Sequence, residues 1–158
     1  MIILSKCVRK LKRLNSFDLW DKILLIRVFL LTGIFRMIML YVPFNKLKSH
    51  MGTLNLESAE NEDESVYVQV SRIAWAIRTI VKYTPWQSKC LVQSLTAQYL
   101  LTKKHIACTL YLGVSKEKIL NSDSKSTDLI AHSWIRCGNY FVTGGNGNNF
   151  AVVAKFSK

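Results

Sequence analysis

The chain has 158 residues, 49% of them hydrophobic and 11% aromatic, which suits one domain with a buried core. A net charge of +12 favours anionic partners, but no helix-turn-helix, RNA-binding aromatic motif or glycine-rich phosphate loop accompanies it, so we predict no nucleic-acid partner. The four cysteines form no Cys-x-x-Cys pair and no zinc-type ladder. This pattern argues against a disulfide framework or a metal site and favours free thiols in the cytoplasm.

The first predicted element is the apolar segment 19–44, which follows a basic stretch. Arg27 and Arg36 interrupt this segment, whereas a membrane-spanning helix needs about 20 mostly apolar residues. No small-residue cleavage site follows the segment, so it does not resemble a signal peptide. The spacing of the two arginines puts them on different stripes of a helix, which argues against a helix lying on a surface. We predict a long helix in the core or against a partner protein, with peripheral membrane contact as an alternative.

Two further helices are predicted. Pro43 and the basic residues after it end the first helix, and residues 52–62 are predicted as an acidic linker or exposed loop. Apolar residues at intervals of three and four predict a second helix from Asp63 to Tyr83. The third predicted helix runs from about Ser88 to Lys104, with Ser88 as its N-cap.

Strands follow the helices, because after His105 the hydrophobic period changes to two. Gly138-Asn139 is a two-residue hairpin signal, and regular pairing across it places Gly145 opposite His132, with Thr143 on the same face. The sequence therefore predicts an α+β fold in which helices pack on an antiparallel meander. The four predicted strands are residues 107–114, 129–137, 140–143 and 150–156.

Cys90 falls in the first turn of the third predicted helix. Unpaired backbone N–H groups and the helix dipole favour a thiolate at that position, and Lys89 adds positive charge. A nucleophilic thiolate also needs a base, and His132 lies inside a predicted strand. Because cysteine is among the residues most often buried, packing is the alternative role for Cys90. Packing is the role that we assign to the other three cysteines, Cys7, Cys108 and Cys137.

Three segments that follow one another over residues 84–156 resemble the leader-peptide protease subunit of lasso-peptide biosynthesis, a branch of the transglutaminase-like cysteine enzymes. These segments are CLVQSLTAQYLLTKKHI, TLYLGVSK and AHSWIRCGNYFVTGG. The apolar helix ending in VPF and the later Met51-Gly52 also resemble that family. The resemblance implies a papain-like or transglutaminase-like fold, with Cys90 as nucleophile and His132 as general base and acid. It also divides the chain into a helical segment, 1–56, and a peptidase core, 57–158, within one compact unit.

The third catalytic residue departs from the family pattern. Many relatives carry an aspartate at the position that Gly144 occupies here, and no acidic residue follows Asp128. Because an asparagine orients the histidine in papain-like enzymes, we predict Asn146 for that role. The candidates behind it are Thr143, Asn148 and Asp128. For the oxyanion hole we predict the backbone N–H of Cys90 together with a donor from Trp86 or Gln87.

The resemblance implies a cofactor-free cysteine peptidase that removes the leader from a ribosomally made precursor peptide. The chain shows no leader-recognition domain and is similar to the split form of the family. Its partners would be a small winged-helix recognition protein and an ATP-dependent cyclase. Three alternatives stay open: a catalytically decayed scaffold that binds peptide or membrane, an acyl transferase or amidase, and a membrane-integral protein.

Overall fold

The computed structural model describes residues 18–115 and 130–158. The described residues form four helices: α1 (Leu19–Tyr41), α2 (Phe44–Lys48), α3 (Glu64–Ile80) and α4 (Cys90–Thr102). They also form five strands: β1 (Thr53–Leu54), β2 (Thr109–Ser115), β3 (Ala131–Cys137), β4 (Tyr140–Thr143) and β5 (Phe150–Ser157). The predicted helices and strands are therefore present with shifted ends, and α2 and β1 are additional.

The five strands make one antiparallel sheet in the order β1-β5-β2-β3-β4. Helices pack on this sheet, so the predicted α+β class is confirmed. The predicted meander is wrong, because β5 pairs with β2 instead of β4. Strand length explains the difference: β2 has seven residues and offers the eight-residue β5 a longer ladder than the four-residue β4 does.

The core lies between one face of the sheet and the three long helices. Each of these layers contributes side chains that are almost completely buried in a single cluster. They include Leu25 and Val28 of α1, Val70 and Ile77 of α3, Leu101 of α4, Ile135 of β3 and Phe156 of β5. The apolar segment that opens the described chain therefore packs as an integral layer of the fold.

Helix α1 begins after Asp18, whose carboxylate accepts a hydrogen bond from the Leu19 N–H at 2.8 Å. Its 23 residues are long and apolar enough to cross a membrane, a property that core helices and signal sequences share. One face of α1 is buried at Leu25, Val28 and Thr32. The opposite face is exposed along the whole helix.

Residues 55–59 form a mostly exposed loop, one of the two forms that the sequence predicts, and hydrogen bonds fasten this loop to the sheet. The Asn55 N–H donates to the Lys155 carbonyl, and the Ser58 N–H donates to Thr109 Oγ1 at 2.8 Å. The Glu57 carboxylate contacts the buried Arg136 guanidinium at 3.0 Å and Lys155 Nζ at 2.7 Å. The acidic composition of this segment thus provides a partner for a sheet arginine that would otherwise be buried without a counter-charge.

Candidate active site

Cys90 is the first residue of α4, as the sequence predicts, and its free thiol is partly exposed. The N-cap is Lys89 instead of the predicted Ser88, because the Ser88 hydroxyl lies 3.0 Å from the Thr84 hydroxyl. Among the described residues, no side chain caps the start of α4. The first backbone N–H groups of the helix therefore remain available to stabilise negative charge near Cys90.

His132 is the second residue of β3, and its ring has one polar contact within residues 18–115 and 130–158. Its Nε2 lies 2.8 Å from the Gly144 carbonyl oxygen. A carbonyl oxygen only accepts, so Nε2 must carry the proton that it donates. In the neutral ring this tautomer leaves a lone pair on Nδ1, and that nitrogen is then the one able to take a proton.

An irregular register brings Gly144 to the histidine. Ile135 pairs with Thr143, but Arg136 pairs with Phe141, so Val142 is an extra residue in β4. The predicted regular pairing, with Gly145 opposite His132, is wrong because of this bulge. Gly144 itself has φ +76°, and an added Cβ would meet the Ser133 carbonyl and Trp134. Only glycine fits this left-handed turn without strain.

Helix α4 lies against the start of β3. Ser94, one turn after Cys90, has its hydroxyl 3.2 Å from the hydroxyls of both Ser133 and Thr143. Thr143 therefore faces α4, not the His132 ring as the regular register predicts. These contacts hold the N-terminal part of α4 close to the start of β3.

The His132 ring itself lies on the other face of the sheet from Ser133, since strand side chains alternate. There it stacks on Phe150 with a centroid separation of 4.6 Å and on Trp134 at 5.9 Å. Among residues 18–115 and 130–158, no hydrogen bond joins this imidazole to the Cys90 thiol. The catalytic pairing of the two side chains stays a prediction.

The predicted orienting groups have other surroundings. Asn146 Oδ1 accepts a hydrogen bond from the Asn148 N–H at 3.2 Å, which closes a local turn. Asp128 lies outside the described residues. The Gly144 carbonyl makes the hydrogen bond to His132 that is expected of Asn146. Sequence reasoning missed this group because every residue carries a carbonyl; the one hint is that the family resemblance predicts an aspartate where Gly144 stands.

Trp86 and Gln87, either of which is predicted to offer a donor to the oxyanion hole, differ in environment. Trp86 packs on Phe29 of α1 with a centroid separation of 4.9 Å. Its Nε1 is buried and has no hydrogen-bond partner among the described residues. Gln87 is exposed, and both roles stay predictions.

The family model of the transglutaminase-like superfamily matches residues 36–155, three quarters of the chain. The chain belongs to this superfamily. The match runs from the last turns of α1 into β5 and so includes both Cys90 and His132. No curated protein and no solved structure matches the chain. Membership establishes the transglutaminase-like fold, which cysteine-peptidase-like enzymes share, and leaves the activity to be tested.

In this transglutaminase-like domain the other described cysteines have the environment of packing residues. Burial raises the pKa of Cys108 to about 12, and it raises the pKa of Cys137 to about 11. Both thiols therefore stay protonated at neutral pH and are poor nucleophiles. Cys90, partly exposed at a helix start, is the described cysteine that suits nucleophilic chemistry. Within the described residues, no group of three His, Cys, Asp or Glu side chains could hold a metal ion.

Proposed function

We propose that this transglutaminase-like chain is a cysteine peptidase, with Cys90 as nucleophile and His132 as general base and acid. The observation that carries the proposal is the hydrogen bond from His132 Nε2 to the Gly144 carbonyl. This bond selects the tautomer in which Nδ1 can accept the thiol proton. The Gly144 carbonyl stands where the family resemblance predicts an aspartate, and it orients the ring without supplying that residue's negative charge.

The chemistry proceeds in two steps. Nδ1 takes the proton of Cys90, the thiolate attacks the scissile carbonyl carbon, and the imidazolium protonates the departing amine. Water then attacks the thioester, with Nδ1 again taking a proton, and the free thiol is restored. The proposal requires Sγ and Nδ1 to come within hydrogen-bond reach when substrate binds. Catalytic hydrogen bonds often tighten only at that stage, and both residues occupy end positions of their elements.

We further propose that the substrate is the leader-bearing precursor of a lasso peptide. The support is the resemblance of the segments within residues 84–156, together with the superfamily match over 36–155. Cleavage would free an amino group, which a separate ATP-dependent cyclase would condense with a carboxylate side chain. A small winged-helix protein would present the leader. The cytoplasm would house all three proteins, and the net charge of +12 would favour docking of acidic partners.

The experiment is a cleavage assay with the precursor and its recognition protein, read by mass spectrometry. Cys90→Ala should lower the cleavage rate by roughly a thousandfold or more, because it removes the nucleophile. Cys7→Ser, which changes a thiol that lies outside the described residues and has no proposed catalytic role, should cleave like the wild type. Circular dichroism should show an unchanged fold in both variants. Full cleavage by Cys90→Ala would refute the peptidase.

A non-catalytic scaffold is the second candidate function. Two points favour it: the family resemblance predicts an aspartate where Gly144 stands, and the His132 ring lies on the sheet face away from Ser133, which contacts α4. A scaffold would bind the precursor equally well with or without the Cys90 thiol and would cleave it in neither form. An acyl transferase on the same site would give a product without the added mass of water, which the same spectra distinguish.

A further inference from the structure

The outward face of α1 is a continuous apolar stripe. Six large apolar side chains, each more than half exposed, recur along it at helical intervals. They are Leu19, Ile26, Leu30, Ile34, Met37 and Tyr41, and we call them the outer stripe. The stripe runs the length of the 23-residue helix, about 34 Å at 1.5 Å per residue. Soluble monomers rarely leave so extended an apolar surface in water.

Positive charges border this stripe. Arg27 and Arg36 project on opposite sides of it, given 100° of rotation per residue. Lys46 and Lys48 are exposed just beyond the end of α1. The acid within the helix, Asp21, points instead toward α3, where it binds Arg72 at 2.6 Å. In the bare sequence, the separation of the two arginines argues against a surface helix. In the structure, the same separation places one cation on each side of the apolar stripe.

We propose that the outer stripe docks on an anionic phospholipid bilayer, with α1 lying in the plane of the interface. The apolar side chains enter the acyl boundary, and the flanking cations meet lipid phosphates. Trp20 and Tyr41, both exposed, stand near the two ends of the helix and have the amphipathic rings that favour interfaces. A spanning orientation would strip Leu25 and Val28 from the core, whereas the in-plane orientation uses only the face that the fold leaves free.

The test is cosedimentation of the full chain with vesicles of phosphatidylcholine alone or mixed with phosphatidylglycerol. The wild type should bind the mixed vesicles at least about tenfold more tightly than the neutral ones, and salt should reduce this preference. Leu30→Ser combined with Ile34→Ser should weaken binding by roughly tenfold or more, because two apolar side chains that would enter the bilayer are lost. Arg27→Gln with Arg36→Gln should weaken binding to the mixed vesicles and leave binding to neutral ones unchanged.

Val68→Ser is the matched control, because Val68 is equally exposed but lies on α3. It should bind like the wild type, and all variants should melt close to the wild type because none of the altered side chains belongs to the buried core. The proposal is overturned if the wild type binds neither vesicle or if the stripe variant binds as well as Val68→Ser. It is equally overturned if the wild type resists carbonate extraction, which indicates a spanning helix. A dimer that the stripe variant dissociates, without vesicle binding, would assign the stripe to a second copy instead.

Discussion

At the scale of single residues, the orientation of His132 depends on a main-chain oxygen. The Gly144 carbonyl accepts from Nε2 at 2.8 Å, at the position where the family resemblance predicts a carboxylate. A carbonyl dipole fixes the tautomer as well as a carboxylate does, but it carries no full charge to stabilise an imidazolium. We therefore expect a functional but slower proton transfer than in a relative with the aspartate.

The thiols give a test at the same scale. In a Cys7→Ser protein, native iodoacetamide labelling at pH 7.5 should modify Cys90 and leave Cys108 and Cys137 unmodified. The reason is that burial raises the pKa of the latter two to about 12 and about 11 and also excludes the reagent. Mass spectrometry of tryptic peptides reads the pattern, and denatured protein labelled at all three sites is the control. Equal labelling of Cys108 and Cys90 in folded protein would contradict it.

At the scale of elements, the turn after β4 positions the acceptor for His132. The bulge at Val142 and the left-handed Gly144 bring the chain over Trp134. Trp134 is almost fully buried and stacks on Tyr111 with a centroid separation of 5.4 Å. Gly147 also lies against the indole, where an added Cβ would collide with the ring. A fixed aromatic surface thus holds a loop of glycines and asparagines in one conformation.

Replacing two neighbouring glycines should separate the effect of backbone strain in the loop from the effect of moving the Gly144 carbonyl. Gly144→Ala should reduce cleavage by tenfold or more, at a rough estimate, because its Cβ meets the Ser133 carbonyl and displaces the acceptor from His132. Gly145 has φ +69° and nothing near its Cβ direction. Gly145→Ala should therefore cost only the left-handed strain, about 1–2 kcal/mol of unfolding free energy.

The measurements are urea unfolding and the precursor cleavage rate for both variants. If the Gly145→Ala protein loses as much activity as the Gly144→Ala protein, general strain in the loop explains the effect and the Gly144 carbonyl has no special role.

At the scale of the whole molecule, Arg136 connects the sheet to the segment between α2 and α3. Its guanidinium contacts the Glu57 carboxylate, the Tyr111 hydroxyl at 3.0 Å and the Gly138 carbonyl at 2.6 Å. These bonds fasten the segment on the sheet face that also carries Trp134. The two faces of the sheet are thus covered differently: helices pack on one face, and a polar cluster anchors an acidic segment on the other.

Glu57 makes this anchoring depend on pH. Hydrogen bonds from Lys155 and Tyr111 lower its pKa from 4.5, so its contribution to stability is full above pH 4.5 and is lost as pH falls through the lowered pKa. Glu57→Gln should therefore melt below the wild type at pH 7, and the difference should shrink on acidification. Thermal melts of Glu60→Gln, an exposed neighbour in the same segment, provide the control. A difference in melting temperature between the wild type and Glu57→Gln that is constant from pH 7 to pH 3 would contradict the role of Glu57.

The sequence predicts some features of this molecule well because their signals are local. Helical periodicity places α1, α3 and α4, and the hairpin signal at Gly138-Asn139 places β4 to the residue. The position of Cys90 at a helix start follows from the proline-led turn before it. Pairing of β5 with β2, the bulge at Val142 and the anchoring of residues 55–59 all depend on contacts distant in sequence, so local patterns do not specify them.

The carbonyl that supports His132 belongs to the peptide unit between Gly144 and Gly145. No codon change deletes a peptide oxygen, so Gly144→Ala displaces this group but also strains the loop that carries it. Semisynthesis can address that atom directly: an ester in place of this amide keeps the side chains and weakens the oxygen as an acceptor. A graded loss of rate in the ester protein would be the signature of a catalytic contact that side-chain substitution cannot isolate.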